Sequence, residues 1–374
     1  MKGRPLSMMN EKIFETLEFG KILQKIQVSA QTELAKLLIK DMRPSSNREA
    51  IEQLQAETEQ SLILLNNKKP MPIPRLQNLV NALKRLELGA GLNGLEIAQI
   101  GKLLSTTHQL IQFFSQLNEE EKHYPALDVW VEQTVSLPDL VKLIEQSVSD
   151  EGSVLSSASA KLSGIRRGQQ QSEQQIRNQL SQLLKSKANQ LSDNLITVRN
   201  GRYVLPVKAE YRHQFGGAIH DQSSTGQTLF IEPQAVMQLN NKLAELHVEE
   251  RKEIERILLE ISQTLMPYYQ EIDQNQKVIA QLDFIQARAD YARETESTKP
   301  IFSQNRQVAM WQARHPLLDS KEVVSNDIIL GENYQALIIT GPNTGGKTIL
   351  LKALGLIQLM GQSGLHIPCD KGSQ

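Results

Sequence analysis

Cysteine is almost missing from this sequence. Cys369 is the single one in 374 residues, so no disulfide can form within the chain, and a reducing cytosol suits it. Aromatic residues make up only 5%. Net charge is also lacking: the formal sum is -1, which argues against a uniformly basic coat for nucleic acid, although one face can be basic while the sum is neutral. Long apolar runs are absent. The opening "MKGRPLSMMNEKIFETLEFG" has no uninterrupted hydrophobic core of a signal peptide, and no stretch approaches the length of a membrane span. No membrane role is expected, and the reading is a soluble cytoplasmic protein.

What is abundant is Leu, Ile, Gln, Glu and Lys, a mixture that favours helices with long solvated faces. Residues 1–152 read as a helical core. Ser46 and Glu49 form a capping box behind Pro44, and "PMPIP" at Pro70–Pro74 is a break. Ile97, Ile100, Leu104, Ile111 and Phe114 fall near one helical stripe. Two long, narrow-striped helical stretches follow, 153–193 and 234–298. The first carries Ile176, Leu180, Leu183 and Leu191; the second carries Leu239, Leu243, Leu246, Ile257 and Ile261, interrupted by Glu250. The helices within them, about 153–191 and about 234–265, should each run ~45–55 Å at the helical rise. Helices of this kind are unstable alone and should pack on each other or on "EIDQNQKVIAQLDFIQARADYARE".

Between them the period changes. Residues 194–233 are rich in Val, Ile, Tyr, Thr and Phe, with Asn200-Gly201 marking a type I′ hairpin and Gly216-Gly217 a further turn. This predicts a small β-rich module at the tip of an antiparallel helical arm. Arg199, Arg202, Lys208 and Arg212 are its candidate phosphate contacts. Glu210, Asp221 and Glu232 share the module, so an ordinary solvated face stands as the alternative. His213 and His220 lack the companions of a metal site. Phe230-Ile231-Glu232 reads as structural, with Phe230 buried and Glu232 near a helix start.

The region 299–374 contains the strongest motif. Gly341, Pro342, Asn343, Thr344, Gly345, Gly346, Lys347 and Thr348 fill G-x-x-x-x-G-K-[ST]. Glycines let backbone amides curl around a β-phosphate, Lys347 is placed for the β/γ oxygens, and the Thr348 hydroxyl for Mg²⁺. The flanks predict a buried strand over 336–340, then a helix lined by Ile349, Leu350, Ala353, Leu354 and Ile357. ATP and Mg²⁺ are therefore the expected cofactors. Trp311 and His315 read as core packing rather than adenine contacts. Only "LHIPCDKGSQ" follows this helix; Asp370 reads as a loop carboxylate, too close to hold the metal, so turnover is not expected and no catalytic residue is assigned.

The P-loop "GPNTGGKT", the preceding "RHPLL", the segment "RNGRYVLPVKAEYRHQFGGAIHDQSSTGQTLFIEP" and the trailing "LMGQSGLHIP" together resemble bacterial MutS paralogues of the second type, the branch with a C-terminal Smr domain. The resemblance extends to "LEFGKIL" at Leu17–Leu23 and covers nearly the whole chain; Thr344 and Thr348 match this branch where mismatch-repair MutS proteins have Met and Ser. It implies a homodimer with an ABC-type ATPase, in which nucleotide bridges two subunits and sets the angle of lever helices carrying a clamp. It also implies branched DNA or a collided ribosome and its RNA as partner, in recombination control, DNA repair or ribosome rescue. The adenine-stacking aromatic of mismatch-repair proteins would fall near Val323 and Val324. The acidic strand, the signature helix and the Smr nuclease of the family would lie beyond residue 374, so the chain reads as a truncated N-terminal fragment.

The expected fold is thus mostly α: a helical core over 1–152, lever helices over 153–193 and 234–298, a β-rich clamp over 194–233, and the start of an α/β P-loop ATPase domain over 299–374. The competing reading is a helical dimerisation scaffold whose P-loop binds no nucleotide.

Overall fold

The computed structural model describes residues 11–305, 307–319, 323–331, 334–340 and 346–374. In chain order, eight helices come first: α1 Glu11–Thr16, α2 Phe19–Ser29, α3 Glu33–Lys40, α4 Arg48–Asn66, α5 Val80–Glu87, α6 Gly94–Glu119, α7 Pro125–Val131 and α8 Pro138–Ser147. Then come α9 Ala160–Ser186, four strands (β1 Thr197–Arg199, β2 Arg202–Lys208, β3 Ala218–Gln222, β4 Thr228–Glu232), α10 Met237–Leu265, α11 Tyr269–Glu294, β5 Val308–Ala313, β6 Asn326–Leu330 and α12 Lys347–Gln362. Helices dominate, as expected. The chain divides into two compact units, one of residues 1–84, 99–141 and 267–374, the other of residues 85–98 and 142–266.

In the first unit α11 is the central element. It buries side chains on every face, from Ile272 through Ala292, and packs against α2, α3, α4 and α7; a helix apolar all round belongs in an interior. Two of its buried charged residues have partners. Asp283 accepts from the backbone N–H groups of Gln31 and Thr32 at 3.0 and 2.7 Å, holding the start of α3, where Thr32 caps Ala35. Arg288 and Glu57 meet at 2.7 Å with almost no exposure. From α4, Gln55 donates to the carbonyls of Gly361 and Leu365 and Thr58 to that of Gly364, fastening the turn that follows α12. One core joins α2, α3, α11, β5, β6 and α12, including Phe19, Ile22, Leu23, Leu356, Ile357 and Met360.

The stretch 234–298, read as one limb, is two helices on either side of the turn Met266–Tyr268, and α11 lies within the first unit. The cap of α4 is Asn47, whose side chain accepts from Glu49 and Ala50, and not Ser46. Asn is as good a cap as Ser, and it sits one residue nearer the helix.

In the second unit α9 and α10 pack together in antiparallel register, shown by Ser159 with Glu253, Arg166 with Glu250 and Gln169 with Leu246. They are 27 and 29 residues long, ~40 Å each, somewhat shorter than expected because α9 starts only at Ser159, which caps Leu162. The seam is apolar near the sheet, through Ile176, Leu180 and Leu243, and polar further along, through Gln169, Ser172 and Glu250. Glu250 is no interruption, since it closes the seam onto Arg166 at 2.7 Å. Sheet order is β1-β2-β4-β3, all antiparallel. Asn200 and Gly201, at φ 49° and 73°, make the type I′ turn that joins Arg199 to Arg202. One sheet face, with Leu205, Val207, Leu229 and Ile231, packs on Ile176, Leu180 and Leu243.

Candidate nucleotide site and candidate nucleic-acid surface

Five loop residues, Gly341, Pro342, Asn343, Thr344 and Gly345, lie outside the described residues. The other three form the start of α12. Gly346 caps it in the left-handed region at φ 80°, and a Cβ there would meet nothing within 4 Å among the described residues, so the cap is open toward them. Lys347 begins the helix and Thr348 is exposed on its first turn, which carries no acidic residue. First-turn amides have no partner within a helix and sit at its positive end. These features fit the triphosphate and metal that the motif predicts.

The predicted strand before the loop is not formed among the described residues. Residues 336–340 carry no strand pairing there, and Leu337 and Ile338 are 47% and 84% exposed. A strand of this apolar type is buried only when neighbours flank it in the sheet. The described strands closest to it in sequence, β5 and β6, form their own two-stranded antiparallel ribbon.

Beside the start of α12 lies an open depression of about 570 Å³, lined by Thr348, Ile349 and Lys352 of that helix, by Glu18, Lys21 and Lys25 around the start of α2, and by His315 and Leu317. Glu18 holds a left-handed backbone at φ 60°. Its carboxylate accepts from Lys21 and lies 3.3 Å from the Lys352 ammonium. The Lys21 hydrogen bond, then that of Lys352, holds the Glu18 carboxyl below the usual range. His315 is buried, as expected; burial lowers its pKa, and Nδ1 accepts from the Leu317 amide at 3.3 Å. Trp311 is 39% exposed rather than a core residue, because β5 bulges between Met310 and Ala313. Val324 is exposed.

On the β-rich module, the four candidate contacts separate into two pairs. Arg199 lies 3.1 Å from the Asp221 carboxylate, with its guanidinium 4.2 Å over the Phe230 ring. Arg202 donates to Glu232 at 3.1 Å and to Asn241 at 2.6 Å. Both are committed inside the module. Lys208 donates only to the Asn189 carbonyl at 2.9 Å, and Arg212 is exposed in the 3₁₀ turn Ala209–Gln214. Lys187 donates to Gln214 and lies 4.6 Å over Phe215, and Lys185 is exposed two residues earlier. Sequence reasoning missed these last two; their spacing at the end of α9, next to the predicted module, was the available signal.

Phe230 is half-buried under Arg199 rather than in the core. Glu232 serves no helix start: it is buried, bound by Arg202 and by His220 at 2.6 Å. The bulge between Ile219 and Asp221 turns His220 toward it. Among the described residues no group of three or more His, Cys, Asp or Glu is placed to hold a metal, and no helix is long and apolar enough to cross a membrane.

No protein-family model matches the chain. Over 367 residues, 98% of its length, it is 47% identical to a protein of Latilactobacillus sakei subsp. sakei named Endonuclease MutS2. It is 46% identical over the same span to the Endonuclease MutS2 of Enterococcus faecalis, and 44% identical to that of Ligilactobacillus salivarius. The alignments cover 47% of each relative, so the chain spans about half the length of the curated relatives it matches.

Proposed function

From a chain that belongs to the MutS2-type branch of the MutS family, we propose a nucleotide-gated clamp: ATP and Mg²⁺ bind at Gly341–Thr348, and the β-rich module carried by α9 and α10 holds a phosphodiester backbone. The partner in this reading is branched DNA or the RNA of a ribosome, engaged by a homodimer in the cytoplasm. The observation that carries it is the start of α12, where an open left-handed glycine is followed at once by Lys347 and Thr348 on a helix whose first turn has no carboxylate of its own.

Residues 341–346, Pro342 excepted for want of an N–H, would present amides to the phosphates, Lys347 a point charge, and Thr348 a hydroxyl to the metal. What the nucleotide supplies when bound is a concentrated negative charge and a metal ion at the start of α12. That helix shares one core with α2, α3 and α11, so a shift at its start is felt by the packed helices around it. On the module the phosphate contacts move from Arg199 and Arg202 to Lys185, Lys187, Lys208 and Arg212. The first two are already paired with carboxylates, whereas among the described residues no carboxylate pairs with Lys208 or Arg212. The name endonuclease belongs to relatives about twice as long, and no cleavage chemistry is proposed for the described residues.

The test is equilibrium binding of a fluorescent ATP analogue to this chain and to Lys347→Ala. A signal that is lost, or weakened at least tenfold, in the variant supports the reading. Absence of binding by both favours the scaffold, in which the helices mediate association alone.

A further inference from the structure

The depression at the start of α12 holds more charge than a phosphate loop requires, and the charge is arranged. Lys352 stands four residues after Thr348, so the two share one face of the helix. A hydroxyl at the Thr348 position serves the metal that bridges β- and γ-phosphoryl oxygens, which makes this face the side of the terminal phosphate. Across the depression stand Lys21 and Lys25. Between the ammonium groups of Lys21 and Lys352 sits a single carboxylate, Glu18, bonded to both. An internal anion thus lies between two cations that line the same depression as Thr348.

Glu18 is also an unusual backbone position, a non-glycine residue at φ 60° directly before α2. Such positions persist only where the surroundings hold them. Here Leu17 packs so closely on α12 that a Cβ at Gly355 would come within 3.1 Å of both Leu17 methyls, while Phe19, Ile22 and Leu23 share the core with Leu356, Ile357 and Met360. The segment 17–23 is therefore clamped to the P-loop helix at its start and along its length.

We propose that the Lys352–Glu18–Lys21 cluster is the element by which this site distinguishes a nucleoside triphosphate from a diphosphate. It rests on the nucleotide-binding reading above. The terminal phosphate competes with Glu18 for Lys352 and Lys21, and releasing Glu18 frees the start of α2. A diphosphate reaches the amides of the loop but leaves the Glu18 pairs intact. The preference for triphosphate and the response of α2 are then one event.

The test is the ratio of affinities for a non-hydrolysable ATP analogue and for ADP, both with Mg²⁺, in this chain, Glu18→Gln, Lys352→Met, Lys352→Arg and the double variant Glu18→Gln/Lys352→Met. Lys352→Met should weaken the triphosphate about fivefold and leave ADP within about twofold, while Lys352→Arg retains the preference. Glu18→Gln should tighten the triphosphate about threefold, and this gain should vanish in the double variant, since the two side chains act through one contact. Hydrogen exchange of the α2 amides should change with the triphosphate and not with ADP. Equal weakening of both nucleotides by Lys352→Met, or additive effects in the double variant, overturns the proposal while leaving nucleotide binding intact. Failure of the unaltered chain to bind either nucleotide overturns both.

Discussion

The β-rich module and the start of the P-loop region are built from similar residues and reach different ends. The module's short strands are all paired, its apolar face is covered by Ile176, Leu180 and Leu243, and its buried carboxylate, Glu232, has two partners. Around α12 the helix is packed, yet residues 336–340 lie exposed and unpaired, and buried His366 after α12 has no hydrogen-bond partner on either ring nitrogen. The difference is one of sequence distance. Everything the module needs lies between α9 and α10, whereas a parallel-sheet strand takes its neighbours from far along a chain.

The sharpest way to break this comparison is to truncate one apolar side chain in each region. Leu205 is fully buried in the module, so Leu205→Ala should destabilise the second unit by about 3 kcal/mol. Denaturant unfolding followed by a probe in residues 142–266 would read it, and a loss below about 1 kcal/mol would mean that the module does not rest on α9 and α10 as a single core.

A smaller effect separates the two buried ionisable groups. His366 is pushed down to about 4, first by burial and then by the charges of Lys299 and Arg288. The unfolded histidine titrates near 6.5, so between about 6.5 and 4 the unfolded state binds more protons. Stability should therefore fall as the pH drops through that window, by an amount on the order of 2 kcal/mol for this residue. The measurement is unfolding free energy against pH for this chain minus that for His366→Gln, which removes the contribution of carboxylates common to both. A flat difference would place water or a partner group at the imidazole. Glu232 carries its partners, Arg202 and His220, with it.

Much of the local structure was legible and the long-range structure was not. Asn200-Gly201 announced its turn because a type I′ turn needs positive φ at two successive residues, and both have it. The start of α12 at Lys347 followed from the glycine before it, and the stripes of α9 and α10 named Ile176, Leu180 and Leu243. The side-chain partners did not follow. Glu232 was read against a helix dipole because sequence shows Pro233 beside it but not Arg202, thirty residues away, or the bulge that aims His220. Arg199 and Arg202 looked free for phosphate because Asp221 and Glu232 meet them only through strand pairing. At the candidate nucleotide site the motif marked Gly341–Thr348, while Glu18 reaches Lys352 across 334 positions, a separation that no local pattern encodes.

The smallest expected effect is the most direct check on the exposed segment 336–340. Ile338 is 84% exposed, so Ile338→Ser removes almost no buried surface and should change the stability of this chain by less than about 0.5 kcal/mol. The same side chain lies beside Leu337 in an exposed apolar segment, and an unpaired segment of this kind is a template for pairing with another copy. Self-association at high concentration, followed by light scattering, should therefore decrease in the variant even though its unfolding midpoint does not move. A loss of 2 kcal/mol or more would show Ile338 to be packed in solution, as the sequence pattern first suggested, and would make the two regions alike. An unchanged midpoint with weaker association would keep them apart, since the module's buried positions cannot be altered at so small a cost.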